Sequence, residues 1–186
     1  MKILFSPSET KFKGGETKKI NKNSFIFPEL FEERIKVINL YQTFIDRASN
    51  EELEKLFGTK KEDIINYYKG NLLEKEIIKV IERYDGVAFD YLKYSTLSDI
   101  EKAYIDKNVV IFSNLMGPIL AGDMGLPDYK LKQNEKIGNF ELEKFYNEKF
   151  SKALDDYLKD DDIVDLRAGF YEKFYTIKKP YTTMKF

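Results

Sequence analysis

Three short apolar runs, Ile3-Leu4-Phe5, Val109-Val110-Ile111-Phe112 and Ile163-Val164-Asp165-Leu166, alternate with stretches whose apolar residues recur every three or four positions. That alternation constrains the fold more than any other feature. It predicts a mixed α/β protein with a central, mostly parallel sheet flanked by helices. Pro28 opens a long amphipathic helix with Phe31, Ile35, Ile38, Tyr41 and Ile45 inward. Ser49 with Glu52, and Thr59 with Glu62, have capping-box spacing, and Gly58 stands between them as a left-handed terminator. The reading there is a helix over about 50–57, a turn, and a helix over about 60–68. A further helix is expected from Leu72 to Tyr84, a short strand at Val87-Ala88-Phe89, a helix from Asp99 to Ile105, and a long one from Phe140 through Leu158. A short helix at 169–174 and a last strand at 181–186 complete the expected single domain, with 49–84 a helical subregion.

Composition excludes several chemistries. The chain has no Cys, which removes thiolate nucleophiles, disulfides, zinc ribbons and iron–sulfur clusters, and no His, which removes imidazole bases and Ser-His-Asp triads. Lys, Tyr, Asp, Glu and Ser remain. No metal or cofactor is expected, and no ligand set for storing iron is present. A net charge of −1 gives no overall attraction to a polyanion, so any such binding needs a local basic patch. With no membrane-length apolar run, and Met1-Lys2 leading straight into a strand, the expected location is cytoplasmic, with no membrane partner and a monomer favoured.

Two loops concentrate polar groups. The first strand breaks into Ser6-Pro7-Ser8-Glu9-Thr10-Lys11, then Phe12-Lys13-Gly14-Gly15. The strand at 109–112 runs into Ser113-Asn114 and a Gly- and Pro-punctuated segment ending in Pro127-Asp128-Tyr129-Lys130. Gly117 and Gly122 have phosphate-loop spacing, but Asp123 and Met124 replace the required Lys and Ser or Thr, so that kind of nucleotide site is rejected. Asp160-Asp161-Asp162 reads as a solvated turn. The turn between the two capped helices, with Lys55, Gly58, Thr59, Lys60 and Lys61, has the form of a helix-hairpin-helix able to hold a DNA phosphate.

The set Ile3-Leu4-Phe5-Ser6-Pro7 with Thr10, Gly86 to Leu92, Ser113, Leu115, Gly117, Asp123, Pro127, Tyr129 and Lys130, then Leu166, Tyr171 and Lys173, resembles the YaaA family of bacterial peroxide stress proteins in the same order. The resemblance implies a family-specific α/β fold, a basic cleft, a DNA-binding helix-hairpin-helix, and a role in limiting iron-driven damage during hydrogen peroxide stress. It also implies departures: Glu9 where relatives carry Lys, Leu120-Ala121 in place of an Arg-Pro pair, and a chain shortened after Phe186.

Two functional expectations follow. The first is DNA, duplex or structured and not read by sequence, held by Lys11, Lys13, Lys55, Lys60, Lys61, Lys130 and Lys173 with the backbone at Gly58 and Thr59. The second is an enzyme acting on a small anionic metabolite through Ser6, Lys11, Asp123, Tyr129 and Lys130, with a desolvated Lys or a carboxylate as base. Both require the loop after Phe5 to meet the loop after Phe112.

Overall fold

The computed structural model describes residues 1–184. At the centre of a five-stranded sheet lies β1 (Lys2–Phe5), flanked by β3 (Val109–Ser113) and β6 (Ile163–Leu166), with β4 (Gly117–Leu120) and β7 (Thr182–Thr183) at the edges. β1 pairs in parallel with both neighbours, Ile3 opposite Val109 and Val164, while β4 returns antiparallel to β3. Leu4, Val110, Ile111 and Phe112 are wholly buried, as the apolar runs require. The mixed, mostly parallel sheet is the one the alternation implies.

Helix α1 (Phe31–Arg47) packs Val37, Ile38, Tyr41 and Ile45 inward, and α7 (Leu142–Leu158) buries Leu142, Tyr146, Phe150, Leu154 and Leu158. α2 (Asn50–Phe57) carries the expected capping box, with reciprocal bonds between Ser49 and Glu52, and ends at Gly58 with φ 64°. α3 (Glu62–Tyr68) starts later than the spacing suggests, because Lys61 is extended and occupies the cap. Thr59 Oγ1 accepts from the Lys61 amide instead of from Glu62, so the second capping box does not form. α6 (Asp99–Asn108) has a capping box at Ser98 and Glu101 and leads directly into β3.

Three expectations are corrected. Residues 72–84 are not one helix: a 3₁₀ turn at Leu72–Glu74 gives way to β2 (Ile77–Ile78) and a single helical turn, α4 (Val80–Arg83). Long-range pairing overrides the helical period there, since Ile77 exchanges backbone bonds with Glu16 and β2 pairs with β5 (Leu126–Pro127). Val87-Ala88-Phe89 is the start of α5 (Val87–Leu92), not a strand; both neighbours of β1 are already taken, and Val87 is 73% exposed. The segment after β3 turns back as β4, through Gly117 in the left-handed region at φ 70°.

The short helix α8 (Gly169–Glu172) forms as expected, and among the described residues the last strand is β7; the expected strand's Lys185 and Phe186 lie outside the described residues. Asp160–Asp162 form a turn in which Asp161 accepts from the N-terminal ammonium at 2.9 Å. No helix among the described residues is long and apolar enough to cross a membrane.

Candidate functional site: a lysine and tyrosine face at the carboxyl edge of the sheet

Because β1, β3 and β6 run parallel, the residues that follow them share one edge of the sheet. Ser6 Oγ accepts from the Ala168 amide at 2.8 Å, which ties the loop after β1 to that after β6. On the other side, Tyr129 is anchored beneath the loop after β3. Its hydroxyl donates to Asn114 Oδ1 at 2.9 Å and accepts from Ser113 Oγ at 2.7 Å, while Asn114 Nδ2 donates to the Leu131 carbonyl at 2.7 Å. Burial raises the Tyr129 phenol above its ordinary pKa, so the ring is neutral.

Lys11 joins the two loops. Its Nζ lies 4.1 Å from the Tyr129 ring centroid and 5.4 Å from that of Tyr84, and it donates to the Ser8 and Glu9 carbonyls at 3.3 Å. Burial pulls its pKa down to about 7, against the attraction of Asp128 and with some help from Lys130. Lys13 Nζ sits 4.6 Å over Tyr67, and Lys75 Nζ lies 4.2 Å over Tyr67 and 4.6 Å over Tyr68. Asp128 is buried and accepts from the hydroxyls of Tyr67 at 2.9 Å and Tyr68 at 3.1 Å.

The strap from Lys130 to Gln133 carries this face onward. Tyr41 donates to the Lys130 carbonyl, the Lys132 amide to the Leu56 carbonyl at 2.8 Å, and the Gln133 amide to Glu9 Oε1 at 2.9 Å. Gly58, at the end of α2, packs against the Lys132 side chain, so the turn bearing Lys60 and Lys61 adjoins the strap. Among the described residues Lys11, Lys13, Lys60, Lys61, Lys75, Lys130 and Lys132 form no ion pair. Lys18, Lys36, Lys136, Lys144, Lys149, Lys152 and Lys178 are each matched by a carboxylate.

The remaining sequence candidates sit as follows. Lys55 lies 3.7 Å from Glu135. Lys173 also forms no ion pair and lies 5.6 Å over the Phe170 ring. Asp123 is outside the group: its Oδ2 accepts from the Ile26 and Leu120 amides at 2.9 and 2.8 Å, bracing β4 against the segment before α1, and burial raises its pKa to about 6.

Lys75, Arg83 and Tyr84 escape the sequence reading because 72–84 reads as a plain helix, and Tyr67, Tyr68 and Asp128 because no motif singles them out. Arg83 is wholly buried, and its guanidinium donates to the carbonyls of Phe12, Glu76 and Leu126, fixing the β1 loop against β2 and β5.

The low Lys11 pKa makes stability depend on pH. Between about pH 7 and 10.5 the unfolded chain holds this proton and the folded chain does not, so stability rises with pH across that window. Urea unfolding at pH 7 and pH 9 is expected to show this gain, and Lys11→Met to reduce it.

These features define an α/β protein whose parallel-strand edge presents unpaired ammonium groups over tyrosine rings, with neither imidazole nor thiol available. The chain belongs to the family described as peroxide stress protein YaaA, whose family model matches residues 1–186. It is similar to Uncharacterized protein Cj0984 of Campylobacter jejuni, at 51% identity over 186 residues, which is 100% of this chain and 75% of that one. A UPF0246 protein of Malacoplasma penetrans is 30% identical over 182 residues, 93% of this chain and 69% of its own. One from Fusobacterium nucleatum is 29% identical over 184 residues, 96% and 71% of the two chains.

Proposed function

We propose that this member of the peroxide stress family binds DNA through its phosphates, in the cytoplasm, without reading sequence, and so limits iron-driven oxidative damage. The observation that carries this reading is the gathering of unpaired lysines along the β1 loop, the Lys130–Gln133 strap and the α2–α3 turn, in a chain whose net charge is −1. Lys13, Lys60, Lys61, Lys75, Lys130, Lys132 and Lys173 are the candidate phosphate contacts. The α2–α3 turn acts as the helix-hairpin-helix, offering Lys60, Lys61 and the backbone at Gly58 and Thr59 to one phosphate. Phosphate contacts position a duplex and carry no sequence information.

Two labelled duplexes of unrelated sequence are expected to bind equally. The triple variant Lys13→Gln, Lys75→Gln, Lys130→Gln should weaken both alike, and should reduce the dependence of log affinity on log salt by about 0.9 for each lysine that contacts a phosphate. Tight binding to one sequence alone, or binding untouched by the triple variant, contradicts the reading.

Lys11 adds a pH signature. A bound phosphate favours its charged form, so affinity is expected to rise from pH 8 to pH 6 by about tenfold, and Lys11→Met to flatten the profile. The groups facing it are Glu9, Asp128, Lys130, Arg83 and the two tyrosines, and burial raises both phenols away from that pH range.

A further inference from the structure

The chain leaves β1 for β3 on one side of it, and later returns to β6 on the other, so a crevice opens between the carboxyl ends of β1 and β6. A cavity of about 730 Å³ lies there, within the roughly 300–1,000 Å³ range of small-ligand sites. One wall is aromatic. Phe5 meets Phe89 edge-on at 5.7 Å, and Phe89 leans on Tyr84 at 5.5 Å, the ring beneath Lys11. The cavity is therefore contiguous with the lysine face, sharing the loop whose Ser8 carbonyl holds Lys11 Nζ.

Its polar groups are few, and two of them, Glu172 and Arg167, are charged. Ser6 Oγ accepts from the Ala168 amide and Ser8 Oγ from the Thr10 amide, and among the described residues neither hydroxyl hydrogen has an acceptor. The Glu172 carboxylate, at the rim, has no ionic or hydrogen-bond partner among those residues. Arg167 also borders the cavity, but its guanidinium is spent on Asp165 at 2.8 Å and on the carbonyls of Tyr171 and Tyr175. A phosphate would find no free cation here and would face a carboxylate.

A flat ring with acceptor atoms for two hydroxyls, and an amino group for the carboxylate, fits this lining. We infer that the cavity receives one extrahelical nucleobase of the bound DNA, with its flanking phosphates on the neighbouring lysines. The inference rests on the DNA reading above and adds its preferred substrate, DNA with a base outside the stack. Base–aromatic contact and relief from the unstacking cost favour such a site over paired DNA.

The test compares a fully paired labelled duplex with the same duplex carrying one bulged adenine, using the protein as it is and Ala88→Trp. That substitution, on the exposed surface of α5, fills the cavity and leaves every lysine in place. The bulged duplex is expected to bind about tenfold more tightly than the paired one. Ala88→Trp should abolish that advantage while leaving affinity for the paired duplex unchanged. Equal binding of the two duplexes by the unaltered protein, or an advantage that survives Ala88→Trp, overturns the cavity inference alone. Failure to bind either duplex overturns the DNA reading and this inference with it.

Discussion

Gly117→Ala is expected to lower the unfolding free energy by about 4 kcal/mol, a large share of the roughly 5–15 kcal/mol that holds a domain together. Two costs combine. Gly117 begins β4 at φ 70°, where an L side chain costs about 1–2 kcal/mol. A Cβ there would also come within 2.3 Å of the Tyr146 ring. That ring cannot retreat: it stacks on Phe174 at 6.0 Å, meets Phe150 at 5.2 Å, and its hydroxyl donates to the Leu115 carbonyl at 2.6 Å. Forcing a methyl group into such packing costs about another 1–3 kcal/mol.

Thermal unfolding should therefore show a Tm lower by about 10 °C. Gly138→Ala separates the two costs, since Gly138 is also left-handed at φ 61° but its Cβ would only touch Phe44 at 3.8 Å. It should lose about 1–2 kcal/mol. Equal losses at the two positions would show that the clash with Tyr146 contributes nothing.

Arg83→Met is expected to damage stability and binding together. The guanidinium is wholly buried and meets three backbone carbonyls rather than a carboxylate, and its removal leaves Phe12, Glu76 and Leu126 without that donor. An unsatisfied buried acceptor costs about 1–3 kcal/mol, and of the three the Leu126 carbonyl is the one fully buried, so a loss of about 1–3 kcal/mol is expected in urea unfolding. The same bonds hold the β1 loop to β2 and β5, so Lys11 and Lys13 lose their register against Lys75 and Lys130, and DNA affinity falls with stability.

Arg34→Met provides the contrast. Arg34 is equally buried and donates to the carbonyls of Ile26, Met116 and Pro118, but it braces β4 and the segment before α1. It should destabilise to a similar degree and leave the DNA affinity of the folded fraction unchanged. A fall in affinity in both variants would mean that binding follows global stability, not the placement of the loop.

The parts of the fold legible in the sequence are those set by local pattern. Ile3-Leu4-Phe5 and Val109–Phe112 could only be buried strands, Ser49 and Glu52 close a capping box, and Gly58 ends its helix left-handed. What escaped depends on partners distant in the chain. Ile77 obeys a helical spacing with Leu73, Val80 and Ile81, but Glu16 and β5 draw it into pairing. Thr59 has the right neighbour in Glu62, but Lys61 takes the cap.

The same division applies to the site. Ser6, Lys11, Tyr129 and Lys130 stand beside the strand ends that announce them, whereas Lys75 and Arg83 lie in the stretch misread as one helix. Asp123 looked available for chemistry, but two backbone amides take up its carboxylate.

The most direct measurement is the affinity of a labelled duplex across a salt series at fixed pH. If the unpaired lysines of the β1 loop, the strap and the α2–α3 turn neutralise about six phosphates, log affinity should fall linearly with log salt at a slope of about −5. A slope near zero, or no binding at low salt, would contradict the account.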